Sequence, residues 1–137
     1  MKPGVVKITT NPRVCQGCRA CEATCSVFHF GLVNPFSTGI KIIELQELGK
    51  FKQIVCQQCI DMVCAQACPE NAIVRNTYSG AVEINDQCTA CGACIEACPI
   101  NAITMISIDG KQRAFKCDLC GGAPQCVEVC PRQAIGW

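Results

Sequence analysis

The sequence predicts an α+β chain of short strands and one-turn helices, and three observations predict it. Sixteen cysteines among 137 residues fall into four tight quartets. A short pattern recurs behind three of them, as Pro69-Glu70-Asn71-Ala72-Ile73, Pro99-Ile100-Asn101-Ala102-Ile103 and Pro131-Arg132-Gln133-Ala134-Ile135. Segments of strand character, closed by turn residues, lie between the quartets.

Taken in order, Val5-Val6-Lys7-Ile8-Thr9 predicts a short strand, which Asn11-Pro12 ends. The first quartet is Cys15, Cys18, Cys21 and Cys25, with Gly17 placed for a tight loop. Glu22 to Phe30 has helical composition, and Gly31 is suited to end that helix. Ser26 stands where the other quartets carry proline, and Asn34-Pro35 marks a turn. Residues 40–45 and 51–55 predict paired strands around Leu48-Gly49-Lys50. The second quartet follows: Cys56, Cys59, Cys64 and Cys68. Tyr78-Ser79-Gly80 predicts a hairpin turn with residues 81–84 as the return strand, leading to Cys88, Cys91, Cys94 and Cys98. Thr104 to Ile108, then Asp109-Gly110, then Lys111 to Phe115 is a strong hairpin signal. The fourth quartet is Cys117, Cys120, Cys126 and Cys130, its loop lengthened by Gly121-Gly122-Ala123-Pro124. In the recurring pattern, proline is expected to pre-set a first helical turn. Alanine is expected to allow close backbone approach, and isoleucine to exclude water. Trp137 is expected to act as a cover.

Composition narrows the class. A secreted disulfide scaffold is the ordinary reading of so many cysteines, but quartets of C-x-x-C spacing suit ligands around a metal centre better. The first residues, Met1 to Lys7, lack the apolar core of an export signal, and the expected compartment is the cytoplasm. No apolar run reaches about 18 residues, so no membrane-spanning helix is expected. The twelve basic residues are scattered without a stripe, which gives no reason to propose nucleic acid. Seven aromatics make a thin core, so metal binding should supply much of the folding free energy and the apo chain should be largely unfolded.

The run Cys88-Thr-Ala-Cys91-Gly-Ala-Cys94-Ile-Glu-Ala-Cys98-Pro99 has the spacing of bacterial ferredoxins that hold [4Fe–4S] clusters. Soft thiolate is the donor that tetrahedral cluster iron prefers. Three cysteines at three-residue steps can hold three irons of one cube. The fourth is expected to begin a helix pointing away and to reach a partner cluster. Zinc is the rival metal, but zinc sites use two pairs and not a triplet plus one. Four clusters are therefore expected, and they would carry the formal charge of +1 to roughly −7. The hairpin between the second and third quartets makes residues 54–108 read as an inner two-cluster module. Residues 1–53 plus 109–137 then form an outer module around it, one nested within the other. A tandem arrangement, first quartet with second and third with fourth, is the alternative.

The interrupted spacings of the second and fourth quartets, Cys56-x2-Cys59-x4-Cys64-x3-Cys68-Pro and Cys117-x2-Cys120-x5-Cys126-x3-Cys130-Pro, resemble four-cluster iron–sulfur subunits of the dimethyl-sulfoxide-reductase type. The resemblance runs from Cys15 to Ile135. Within it, Cys25 to Ile42, including His29, Gly31 and Asn34-Pro35, looks like the small subunits that accompany tungsten-dependent aldehyde oxidoreductases. The resemblance implies four ligand sets: Cys15, Cys18, Cys21 with Cys130; Cys117, Cys120, Cys126 with Cys25; Cys56, Cys59, Cys64 with Cys98; and Cys88, Cys91, Cys94 with Cys68. It implies an electron-transfer subunit without catalysis of its own. Its partners would be a large tungsten- or molybdenum-pterin subunit and a further electron donor or acceptor. A freely diffusing polyferredoxin and a zinc-stabilised interaction module are the alternatives. His29, the only histidine, is either a hydrogen-bonded helix-end residue or a proton- or potential-tuning group beside the Cys15 set.

Overall fold

The computed structural model describes residues 7–46 and 49–137. Its elements are β1 (Thr9–Thr10), α1 (Ala20–Phe30), β2 (Ile40–Glu44), β3 (Phe51–Val55), α2 (Val63–Ala67), β4 (Ile73–Arg75) and β5 (Val82–Ile84). They continue with α3 (Ala93–Ala97), β6 (Thr104–Ile108), β7 (Lys111–Phe115), a 3-10 turn (Leu119–Gly122), α4 (Gln125–Val129) and β8 (Ile135–Gly136). The content is mixed helix and strand, as the α+β reading expects.

The eight strands form four antiparallel pairs, of which three are local hairpins: β2 with β3, β4 with β5 and β6 with β7. Asp109 and Gly110 both have positive φ, 51° and 80°, as a two-residue turn of matching twist requires. In the β4–β5 loop the Asn76 side chain accepts the backbone N–H groups of Tyr78 and Ser79, at 2.7 and 3.1 Å. The fourth pair is long-range: β1 lies against β8, with Thr9 opposite Gly136 and Thr10 opposite Ile135. Helix packing follows the same plan. α1 packs on α4, and α2 packs on α3.

Three details differ from the sequence expectation. Among the described residues the first strand is Thr9–Thr10, and Lys7 and Ile8 precede it outside any strand; Val5 and Val6 lie outside the described residues, as does Leu48 of the second turn. The prolines do not open helices. Cys68, Cys98 and Cys130 end α2, α3 and α4 in extended conformation, so each fourth cysteine closes a helix instead of beginning one. Pro69, Pro99 and Pro131 come just after, where a residue lacking an N–H stops the helix. Asn71, Asn101 and Gln133 then turn the chain with φ of 53–56°, sending it into the next strand. Lastly, Trp137 is 56% exposed, so it is no core residue.

The core is built around sulfur. Ile8, Ile40, Ile42, Val55, Ile106, Phe115 and Leu119 pack with Cys21, Cys25, Cys56, Cys117 and Cys126 in one cluster of buried residues. Ile73, Val82, Ile103 and Ala114 pack with Cys94 in another. The Ala-Ile steps of the recurring pattern, at 72–73, 102–103 and 134–135, are all buried. Two polar side chains inside this core were not legible as core residues: Gln58 and Lys116 are 0% and 2% exposed.

Gln58 ties the second cysteine loop to β5 and to the fourth cysteine loop. Its Oε1 accepts the Val82 N–H at 2.7 Å, and its Nε2 donates to the Cys117 carbonyl at 3.0 Å. Gln58→Leu keeps the volume but leaves both backbone groups unpaired in the interior, a loss of at least about 2 kcal/mol. The expected result is an anaerobic melting temperature lower by roughly 5–10 °C, with iron content at assembly unchanged.

Candidate metal centres

Each quartet is laid out on the same local frame. The third cysteine sits in a helix: Cys21 in α1, Cys64 in α2, Cys94 in α3 and Cys126 in α4. Two residues after each first cysteine the backbone takes positive φ, at Gly17, Gln58, Ala90 and Leu119. That turn points an N–H back at the sulfur. Gln58 N–H reaches Cys56 Sγ at 3.3 Å, Ala90 reaches Cys88 at 3.4 Å and Leu119 reaches Cys117 at 3.5 Å. The last cysteines receive the same kind of bond from the recurring alanine. Ala72 donates to Cys68 at 3.4 Å, Ala102 to Cys98 at 3.4 Å and Ala134 to Cys130 at 3.3 Å. So the alanine brings its amide to sulfur, and a donor there stabilises negative charge on the ligand.

The first quartet solves the same problem differently. With Ser26 in place of proline, α1 runs past Cys25 to Phe30 and ends at Gly31, whose φ is 81°. Ser26 is fully buried, and its hydroxyl donates to Leu32 O at 2.6 Å and accepts Asn34 N–H at 3.0 Å. The detour returns at Gly39, whose N–H donates to Cys25 Sγ at 3.3 Å. Gly39 therefore does for Cys25 what alanine does elsewhere.

The folded chain gathers sulfurs from different quartets. One cavity is lined by Cys56, Cys59, Cys64 and Cys98 beneath Val82 and Ile103. A second is lined by Cys68, Cys88, Cys91 and Cys94 beneath Ile73 and Ile84. In both, three thiols come from one quartet and the fourth from the other. Around the first quartet, burial pushes the Cys21 thiol up to about 12, with Glu22, Cys15 and Cys130 adding negative charge beside it. Cys126 is raised by burial first, then by Cys117, Cys120, Cys21 and Cys25. Cys15 and Cys130 thus lie near Cys21, and Cys117, Cys120, Cys21 and Cys25 all lie near Cys126. Cys18 is exposed.

The groups also lie close to one another. Cys21 faces Cys126. Cys117, raised to about 12 by burial, feels Cys56 and Cys25. Cys94, raised to about 11 by burial and then by Cys88, also feels Cys64 and Cys68. Sulfurs of the first and fourth quartets, of the fourth and second, and of the second and third therefore lie close enough to act on one another.

All sixteen thiols are free of disulfides. Burial raises Cys21, Cys94, Cys117 and Cys126, and neighbouring thiolates would raise them further, so these four would stay protonated without a metal. A cationic centre that binds thiolate removes that conflict, and the N–H donors already face the sulfurs. The donor set fits thiolate-bound iron.

His29 is hydrogen-bonded at both ring nitrogens. Its Nε2 donates to Asp118 Oδ1 at 2.8 Å and its Nδ1 donates to Cys25 O at 2.8 Å. Burial opposes its charge, but the bonds to Asp118 and Cys25 hold it protonated, raised to about 11. It is the hydrogen-bonded helix-end residue of the first alternative. It stands beside Cys25 and Cys120, not beside the Cys15 set.

Buried, unbridged thiols gathered by cross-quartet pairing, with backbone donors aimed at them, define a thiolate-ligated iron–sulfur protein. The chain belongs to the 4Fe-4S dicluster domain family, whose model matches residues 48–136. It is 44% identical over 124 residues to the aliphatic sulfonate oxidoreductase polyferredoxin-like subunit of Pyrococcus furiosus, covering 90% of this chain and 70% of that one. It is 33% identical over 156 residues to an iron-sulfur protein of Rhodospirillum rubrum, covering 95% and 80%. In fold it is similar to a chain of the active site complex BamBC of benzoyl coenzyme A reductase, with a TM-score of 0.52 at 22% identity over 95% of this chain and 76% of that one.

Proposed function

We propose that the chain is the electron-transfer subunit of an oxidoreductase complex and holds four [4Fe–4S] clusters in two nested two-cluster modules. The ligand sets are Cys15, Cys18, Cys21 and Cys130; Cys25, Cys117, Cys120 and Cys126; Cys56, Cys59, Cys64 and Cys98; and Cys68, Cys88, Cys91 and Cys94. When bound, each cluster supplies one-electron chemistry. The chain itself holds the sulfurs in place, donates N–H groups to them and excludes water with Ile73, Ile103 and Ile135. The observation that carries this reading is the gathering of sulfurs from two quartets in one cavity, Cys56, Cys59 and Cys64 with Cys98, and Cys88, Cys91 and Cys94 with Cys68. Several clusters in one small chain suit conduction between two partners. The subunit role is also supported by the Pyrococcus relative, itself a polyferredoxin-like subunit.

The catalytic partner in this reading is a large tungsten- or molybdenum-pterin subunit, supported by the likeness of Cys25 to Ile42 to the small subunits of aldehyde oxidoreductase systems. A further donor or acceptor protein is the other partner, in the cytoplasm. The chain contributes no catalytic residue. Among the described residues no helix is long and apolar enough to cross a membrane.

Native purification without oxygen tests the proposal. The expected product is brown, holds about sixteen irons per chain, four for each cluster, and comes with a large pterin-containing subunit. A chain that runs alone and exchanges electrons with several proteins would make it a free carrier. Zinc without iron or sulfide would end the cluster reading.

A further inference from the structure

Lys116 is the largest fully buried side chain of the described residues. It follows β7 and directly precedes Cys117. Its Nζ donates to the backbone carbonyls of Val82 and Cys117, the second at 2.8 Å. Carbonyl oxygens satisfy its N–H groups but do not neutralise its charge. Among the described residues the ion pairs are Arg19–Glu22, His29–Asp118 and Arg113–Asp86, so no carboxylate is paired with Lys116. A buried ammonium needs an anion close by, because desolvation without one costs several kcal/mol.

Its surroundings identify that anion. Lys116 forms part of the wall of the cavity lined by Cys56, Cys59, Cys64 and Cys98. Its bond to the Cys117 backbone carbonyl holds it there, between this cavity and the fourth cysteine loop.

We propose that Lys116 is a fixed countercharge for the cluster held by Cys56, Cys59, Cys64 and Cys98, and that it raises the reduction potential of that cluster. The inference rests on the proposed ligand set. One electron arriving from a redox partner makes the thiolate-bound centre more negative by one charge, with no proton required. A buried cation in the cavity wall stabilises that form more than the oxidised one. The effect is strong because the lysine is buried and anchored by two carbonyls. Lys116 thus acts through the cluster as a positioning and tuning group.

The test is a redox titration of the whole anaerobic protein, followed by EPR. The signal lost in Cys59→Ala identifies the cluster concerned. Lys116→Gln keeps a donor for the Val82 carbonyl and removes the charge. Its expected effect is at least a tenfold shift of that cluster's equilibrium toward the oxidised form, about 59 mV lower for one electron. The clusters away from Lys116 should move less, and Lys116→Arg should restore the potential. A Gln variant with full iron and four unchanged potentials overturns the proposal. Should the Gln variant assemble without iron, wild-type protein labelled with 15N-lysine gives the answer. Pulsed EPR should then find a lysine nitrogen coupled to the reduced cluster, and no coupling overturns the proposal. If Cys59→Ala removes no cluster signal at all, the ligand set itself is wrong and the countercharge role falls with it.

Discussion

Gly39→Ala is expected to empty one metal centre while leaving the others filled. A Cβ at this position would lie 2.7 Å from the Cys117 backbone nitrogen and 2.8 Å from its Cα. Those atoms belong to backbone, so no side chain can swing aside. Relief requires β2 and the fourth cysteine loop to separate. Overpacking of this kind costs about 1–3 kcal/mol and more when backbone must move. The cost falls on the site, because Gly39 N–H is bonded to Cys25 Sγ and its steric neighbour is Cys117. In the proposed ligand sets these two cysteines share a cluster. The expected reading is a loss of about four irons per chain, with the EPR signals of the inner clusters retained. Gly31→Ala is the comparison. It also places alanine where glycine stood, at φ 81°, but meets nothing within 4 Å. It should cost only the left-handed backbone penalty, about 1–2 kcal/mol, and leave iron content intact. Equal iron loss in both variants would show that Gly39 matters only as a flexible joint.

What the sequence made legible was what had to be cysteine. A thiolate ligand has no substitute, so its spacing survives as a readable pattern. Hairpins were legible for a similar reason, since Asp109-Gly110 satisfies a conformational demand that few pairs meet. The prolines misled because Pro69, Pro99 and Pro131 fit either side of a helix boundary. Local composition does not say on which side the helix lies. Gly39 gave no signal because its reason lies 78 residues away, at Cys117. The same holds for His29, whose partner Asp118 is 89 residues distant. Gln58 and Lys116 look like surface residues in any window of sequence. Their burial follows from the convergence of the Val82, Cys117 and Cys56 backbones, which only the fold creates.

Which cysteines share a cluster can be decided by pairs of substitutions whose effects fail to add. Two ligands of one cluster report the same loss twice, so the double variant should lose no more than either single one. Cys59 and Cys91 are exposed, and Cys98 is partly buried. Replacing Cys59 or Cys91 by alanine therefore removes a ligand with little loss of packing, and iron content reports ligation more than folding. Cys59→Ala with Cys98→Ala is expected to remove one cluster signal, because both line the same cavity with Cys56 and Cys64. Cys91→Ala with Cys98→Ala is expected to remove two, since Cys91 lines the other cavity with Cys68. Cys98→Ala with Cys120→Ala separates the remaining alternative. A tandem arrangement of quartets would place these two residues on one cluster and make their losses coincide. The nested arrangement makes them additive. The β1–β8 pair and the packing of α1 on α4 favour the nested outcome, because they bring the two ends of the chain together around the inner hairpin. Coincident losses for Cys98 and Cys120, together with additive losses for Cys59 and Cys98, would overturn it.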